Sequence, residues 1–103
     1  MGDFKRVADA SDLPPGTSIC VEFDGEKVAL FNVAGTVHAI SDTCTHRGGP
    51  LSEGEVNGTD VTCPLHGATF DLTTGSVKGP PASSPVTHYE VQVEGDEIQI
   101  AAS

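Results

Sequence analysis

Short runs of alternating apolar and polar residues dominate this chain. In "TSICVEF" (17–23) Ile19, Val21 and Phe23 fall on one side of an extended segment, and "DGE" supplies a hairpin turn into "KVALFNV". "AGT" turns the chain again, into "VHAIS". Near the C-terminus "HYEVQVEGDEIQIA" repeats the device: Tyr89, Val91 and Val93 share a face, "EGDE" turns, and Ile98 and Ile100 return. No segment sustains an apolar period of 3.6, and 12 glycines and 7 prolines interrupt the chain. The pattern predicts an all-β fold of short antiparallel strands, a small barrel or sandwich.

The stretch from 42 to about 76 departs from that pattern. It carries glycines at 48, 49, 54, 58 and 67, and a "VNGTDV" hairpin between two loops. It reads as an inserted two-loop subdomain carried on a base formed by 1–41 and 77–103. At 103 residues and 10.6 kDa the chain is long enough for one domain, 1–103.

Charge narrows the choice of partner. Fifteen acidic residues against five basic ones give a formal charge of −10. That balance argues against binding nucleic acid or an anionic membrane, both of which demand a basic face. Glu90, Glu94, Asp96 and Glu97 read as a solvated face, or as steering toward a basic patch on a protein. The N-terminal "MGDFKRVADASDLPPGTS" has no apolar signal-like core, and no run is long enough to span a membrane, so a soluble cytoplasmic protein is expected. The odd count of three cysteines speaks against a disulfide framework. Cys20, in a strand, is expected to be a small buried hydrophobe. His38 and His88 are expected to be ordinary strand histidines.

The remaining cysteines have histidine neighbours. "DTCTHRGGP" (42–50) holds Cys44-x-His46 and "TCPLHGATFD" (62–71) holds Cys63-x-x-His66. Two thiolates and two imidazoles from two loops could close a tetrahedral zinc site, or hold a [2Fe–2S] cluster with cysteine on one iron and histidine on the other. A histidine-activated cysteine nucleophile fits less well, since it needs one such pair and not two. Zinc modules usually group like ligands. Here each loop offers one of each kind, which favours the cluster, Cys44 and Cys63 on one iron and His46 and His66 on the other.

The combination "CTHRGGPL…CPLHGATFD" resembles the Rieske ferredoxin family, most of all the small ferredoxins of bacterial aromatic-ring-hydroxylating dioxygenases. The resemblance covers nearly the whole chain, including a "GPP" segment (79–81) similar to the third loop that covers the cluster. It implies one Rieske-type [2Fe–2S] cluster held by Cys44, His46, Cys63 and His66. It also implies a non-enzymatic, one-electron carrier that meets a ferredoxin reductase and a terminal oxygenase in transient complexes, with the histidine ligands at the exposed tip. A Rieske subunit of a monooxygenase or nitrite reductase, and a structural zinc module, are the alternatives. A catalytic oxygenase, which carries such a domain on a much longer chain, is not expected from 103 residues.

Departures from the wider family give a further expectation. Respiratory-chain relatives resemble "CTHLGC…CPCHGSxY", with a disulfide linking the loops and serine and tyrosine hydroxyls donating toward sulfur. This chain has Gly49 and Leu65 in place of those cysteines, and Ala68 and Phe70 in place of those hydroxyls. Hydrogen bonds to sulfur favour the more negative reduced state, so their loss predicts a potential at the low end of the Rieske range, near about −150 mV. Gly48, Gly49 and Gly67 suit close backbone approach, Leu51, Leu65, Pro80 and Pro81 suit screening from water, and Arg47 reads as a surface charge.

Overall fold

The computed structural model describes residues 4–43, 50–64, 68–79 and 85–102. In chain order the strands are β1 (Lys5–Asp9), β2 (Ser18–Phe23), β3 (Glu26–Val33), β4 (Thr36–Ser41), β5 (Glu55–Asn57), β6 (Asp60–Thr62), β7 (Thr69–Asp71), β8 (Val77–Gly79), β9 (His88–Glu94) and β10 (Glu97–Ala102). Short 3₁₀ turns cover Ala10–Asp12 and Leu51–Glu53. Among the described residues there is no helix long and apolar enough to cross a membrane.

Two antiparallel sheets result. The larger runs β1-β10-β9-β4-β3-β2 and the smaller β5-β6-β7-β8. Turn chemistry sets the hairpins. Asp24 and Gly25 (φ 51° and 82°) both take the left-handed conformation of a two-residue turn, as do Ala34 and Gly35 (53° and 95°). Asn32 braces the second turn. Its Oδ1 accepts the Gly35 N–H and its Nδ2 donates to the Leu13 carbonyl, each at 2.8 Å.

The larger sheet curls until its edges meet. Lys5 on β1 reaches Asp24 beside β2 at 2.6 Å and lies over the Phe23 ring, 5.7 Å from its centre. The space enclosed is filled by Val28, Leu30, Ala39, Tyr89, Ile98 and Ile100, with the Phe23 and Tyr89 rings edge-on at 5.6 Å. Alternate residues of β3 and β4 face the other way. Ala29, Phe31 and Ile40 pack beneath the smaller sheet against Leu51, Val61, Cys63, Phe70, Leu72 and Val86. β3 is thus buried on both faces over Val28–Phe31.

The insert leaves and returns through neighbouring strands, since β4 pairs with β9 and the Ser41 N–H donates to the Thr87 carbonyl at 2.8 Å. Its far end is closed by Gly75, whose φ of +81° and approach to Val86 leave no room for a side chain: a Cβ there would lie 2.4 Å from the Val86 carbonyl oxygen.

Three points differ from the reading of the sequence. Cys20 is exposed rather than buried. With Ile19, Val21 and Phe23 turned inward, a residue between them must face out. β1 carries no alternation that marks it as a strand, because only Ala8 of its five residues is buried. β8 pairs with β7, so residues 77–79, expected with the base, join the smaller sheet.

Candidate metal centre

Two loops rise from the apolar layer between the sheets. The first leaves β4 through Asp42 and Thr43. An antiparallel bridge joins Thr43 to Pro50, and Leu51 then donates its N–H to the Asp42 carbonyl at 2.6 Å. The second leaves β6 through Cys63 and re-enters β7 through Ala68, closed by the Cys63 N–H donating to the Ala68 carbonyl at 2.7 Å. Leu51, Cys63 and Ala68 belong to one buried cluster, so both loops are anchored on the same floor.

Cys63 is the ligand candidate that the described residues contain. It is buried, makes no disulfide, and is surrounded by apolar side chains. Cys44, His46 and His66 lie outside the described residues, as do Arg47, Gly48, Gly49, Leu65, Gly67, Pro80 and Pro81. A buried unbridged thiol at a loop root is a poor solvent-facing nucleophile and a good soft ligand. A donor set of two thiolates and two imidazoles fits a [2Fe–2S] cluster with mixed ligation. Ala68 and Phe70, both fully buried, offer no hydroxyl to a sulfur in this layer.

Asp42 is a residue that the sequence reading missed. Among the described residues it is the one buried charged side chain, 5% exposed. Its Oδ1 accepts the Ser52 N–H at 2.7 Å, and its own N–H donates to the Lys27 carbonyl at 3.0 Å. The available signal was an acidic residue placed directly between an apolar strand and a cysteine loop. The Cys20 thiol is pushed up from its ordinary value, first by desolvation and then by the Asp42 carboxylate, so it stays a neutral thiol.

His38 and His88 sit within β4 and β9, as expected of strand histidines. Burial, and then the neighbouring His88, hold the His38 imidazole below its ordinary value. Asp71 is held low by the Thr73 hydroxyl and then the Thr73 N–H, which both donate to its Oδ1.

Comparison with known proteins gives a consistent answer. Residues 3–90 match the family described as Rieske [2Fe-2S] domain. A biphenyl dioxygenase ferredoxin subunit from Pseudomonas sp. (strain KKS102) is 39% identical over 98 residues, spanning 94% of this chain and 90% of its own length. Among solved structures, the ferredoxin of carbazole 1,9a-dioxygenase from Nocardioides aromaticivorans IC177 superposes with a TM-score of 0.91 at 34% identity, covering 97% of this chain and 98% of that one. A chain in the complex of reduced oxygenase and oxidized ferredoxin in carbazole 1,9a-dioxygenase superposes at 0.87 with 36% identity, covering 95% and 92%.

Proposed function

This chain belongs to the Rieske [2Fe-2S] domain family, and from that premise we propose that it is a one-electron carrier serving a terminal oxygenase of aromatic compounds. Cys44 and Cys63 hold one iron of the cluster and His46 and His66 the other. The observation that carries this reading is the common anchorage of the two loops. Each contains one cysteine and one histidine, and each is closed by backbone pairing over the same apolar floor.

A [2Fe–2S] cluster, when bound, supplies a one-electron couple. The chain's own residues set the surroundings. Cys63 offers its sulfur from a dry layer, Leu51 and Phe70 keep water from it, and Ala68 and Phe70 withhold the hydroxyl donors that would favour the reduced state. The potential accordingly falls at the low end for such centres, near about −150 mV.

The chain is a component of an oxygenase system and does no chemistry on the aromatic substrate itself. Its relatives are ferredoxin subunits of biphenyl and carbazole dioxygenases, one of them in complex with its oxygenase. A ferredoxin reductase supplies the electron, in the cytoplasm, and both encounters are transient. The formal charge of −10 steers the carrier toward basic patches on these partners. The base is formed by 1–41 with the C-terminal strands, and the cluster-binding part begins at about 42.

Electron paramagnetic resonance of the dithionite-reduced protein tests the assignment. A rhombic signal with an average g below that of an all-cysteine [2Fe–2S] ferredoxin is expected. A colourless, silent protein containing zinc would overturn it.

A further inference from the structure

We infer that Asp42 is a positioning residue, a latch that ties the two ends of the segment carrying Cys44 and His46 to the barrel. The inference rests on the proposed ligand set.

Its attachments run in three directions. The Asp42 N–H donates to the Lys27 carbonyl on β3, which anchors the outgoing limb. Its carbonyl accepts from Leu51 at 2.6 Å and its Oδ1 accepts from Ser52 at 2.7 Å, which captures the returning limb. The Ser18 hydroxyl on β2 then donates to the Ser52 carbonyl at 2.6 Å, so the captured residue is itself tied to the barrel edge. Leu51, between these contacts, is fully buried in the layer that also holds Cys63.

A buried carboxylate is an expensive way to hold a loop, because removing it from water costs free energy unless its oxygens are paired. Main-chain contacts alone would allow any residue at 42. The Oδ1–Ser52 contact is what only an acceptor of this length provides. It satisfies an N–H at the start of a short 3₁₀ turn, in a part-buried setting, that the turn itself does not pair. The latch closes the ring from 42 to 52, and the two proposed ligands lie inside that ring.

The test compares three variants as holoproteins. Asp42→Ala removes the acceptor, Asp42→Asn keeps an acceptor oxygen without the charge, and Asn32→Ala breaks comparable side-chain hydrogen bonds in the Ala34–Gly35 hairpin, away from the loops. Two quantities are read: the rate of iron release to excess ferrozine, and hydrogen exchange of the Ser52 amide by mass spectrometry of the same proteins as isolated. Asp42→Ala is expected to release iron at least about tenfold faster and to lose Ser52 protection, in line with a part-buried N–H left unpaired. Asp42→Asn is expected to stay within about threefold of the parent, since its amide oxygen still accepts. Asn32→Ala is expected to lower stability without changing release. Parental release and protection in Asp42→Ala would overturn the latch. Equal acceleration in all three variants would reduce it to general stability, which also overturns it. Should Asp42→Ala not fold, Asp42→Glu, which displaces the acceptor, replaces it in the same comparison. If the parent protein binds no iron, the ligand assignment fails, while Ser52 exchange still decides whether the latch exists.

Discussion

Replacing Ala68 with serine puts a hydroxyl at a site with no solvent exposure, in the layer that holds the Cys63 sulfur. The Ala68 carbonyl already accepts the Cys63 N–H at 2.7 Å, so the two residues are fixed relative to one another. A buried hydroxyl without a partner costs about 1–3 kcal/mol, which drives it toward an acceptor. A hydrogen bond to a charged group is worth about 1.5–3 kcal/mol. Reduction adds one negative charge, and assigning roughly 1 kcal/mol of that range to the reduced state alone raises the potential by about 40 mV, at about 59 mV per tenfold for one electron. Protein-film voltammetry of parent and variant at one pH measures the difference directly. An unchanged or lower potential in a folded variant with full iron content would refute the view that donor poverty at 68 sets the potential. Phe70→Tyr is the less clean partner experiment. It adds an atom to a filled core position, which costs about 1–3 kcal/mol in overpacking.

Three further outcomes follow from the fold. Ala34 holds φ at 53°, a conformation that costs a non-glycine residue about 1–2 kcal/mol, so Ala34→Gly should gain roughly 0.5–1 kcal/mol after the entropy of glycine is deducted, seen as a Tm higher by a few degrees. Gly75→Ala should lose about 2–4 kcal/mol in urea unfolding, because its Cβ would meet the Val86 carbonyl at 2.4 Å; parental stability would show that the Gly75–Val86 approach is not tight. His38 titrates near 6.5 when unfolded and lower when folded, so protons bind the unfolded chain first as pH falls. Stability is therefore full above that value and declines as pH drops toward the folded pKa, and His38→Gln should flatten the loss measured in urea between about pH 7.5 and about pH 5.5.

The hairpins were legible because their turns obey local rules. Asp24-Gly25 and Gly95-Asp96 sit between alternating runs, and the structure turns at both. Cys20 was legible too. The alternation that turns Ile19, Val21 and Phe23 inward requires Cys20 to face out, and it prevails over the general preference of free cysteine for burial. β1 was not legible, since an edge strand with one buried residue has little apolar signal and is defined by pairing with β10 across the whole chain. β8 depends in the same way on its partner β7, not on its own three residues. Of the candidate centre, the Cys/His spacing is a local pattern visible in the sequence, and of its four residues Cys63 is among those described, buried at a loop root. Asp42 was not legible, because its role lies in Ser52 and Lys27, contacts made only once the chain has folded.

β3 serves two cores at once, with Val28 and Leu30 in the barrel and Ala29 and Phe31 under the smaller sheet. A chain that has closed its barrel but not its insert therefore still presents an apolar strip of Ala29, Phe31 and Ile40 to solvent. Such a strip invites chaperones, proteases and self-association. Closing the insert over that strip is then what completes the core, so a change that loosens the smaller sheet is felt in the barrel through β3.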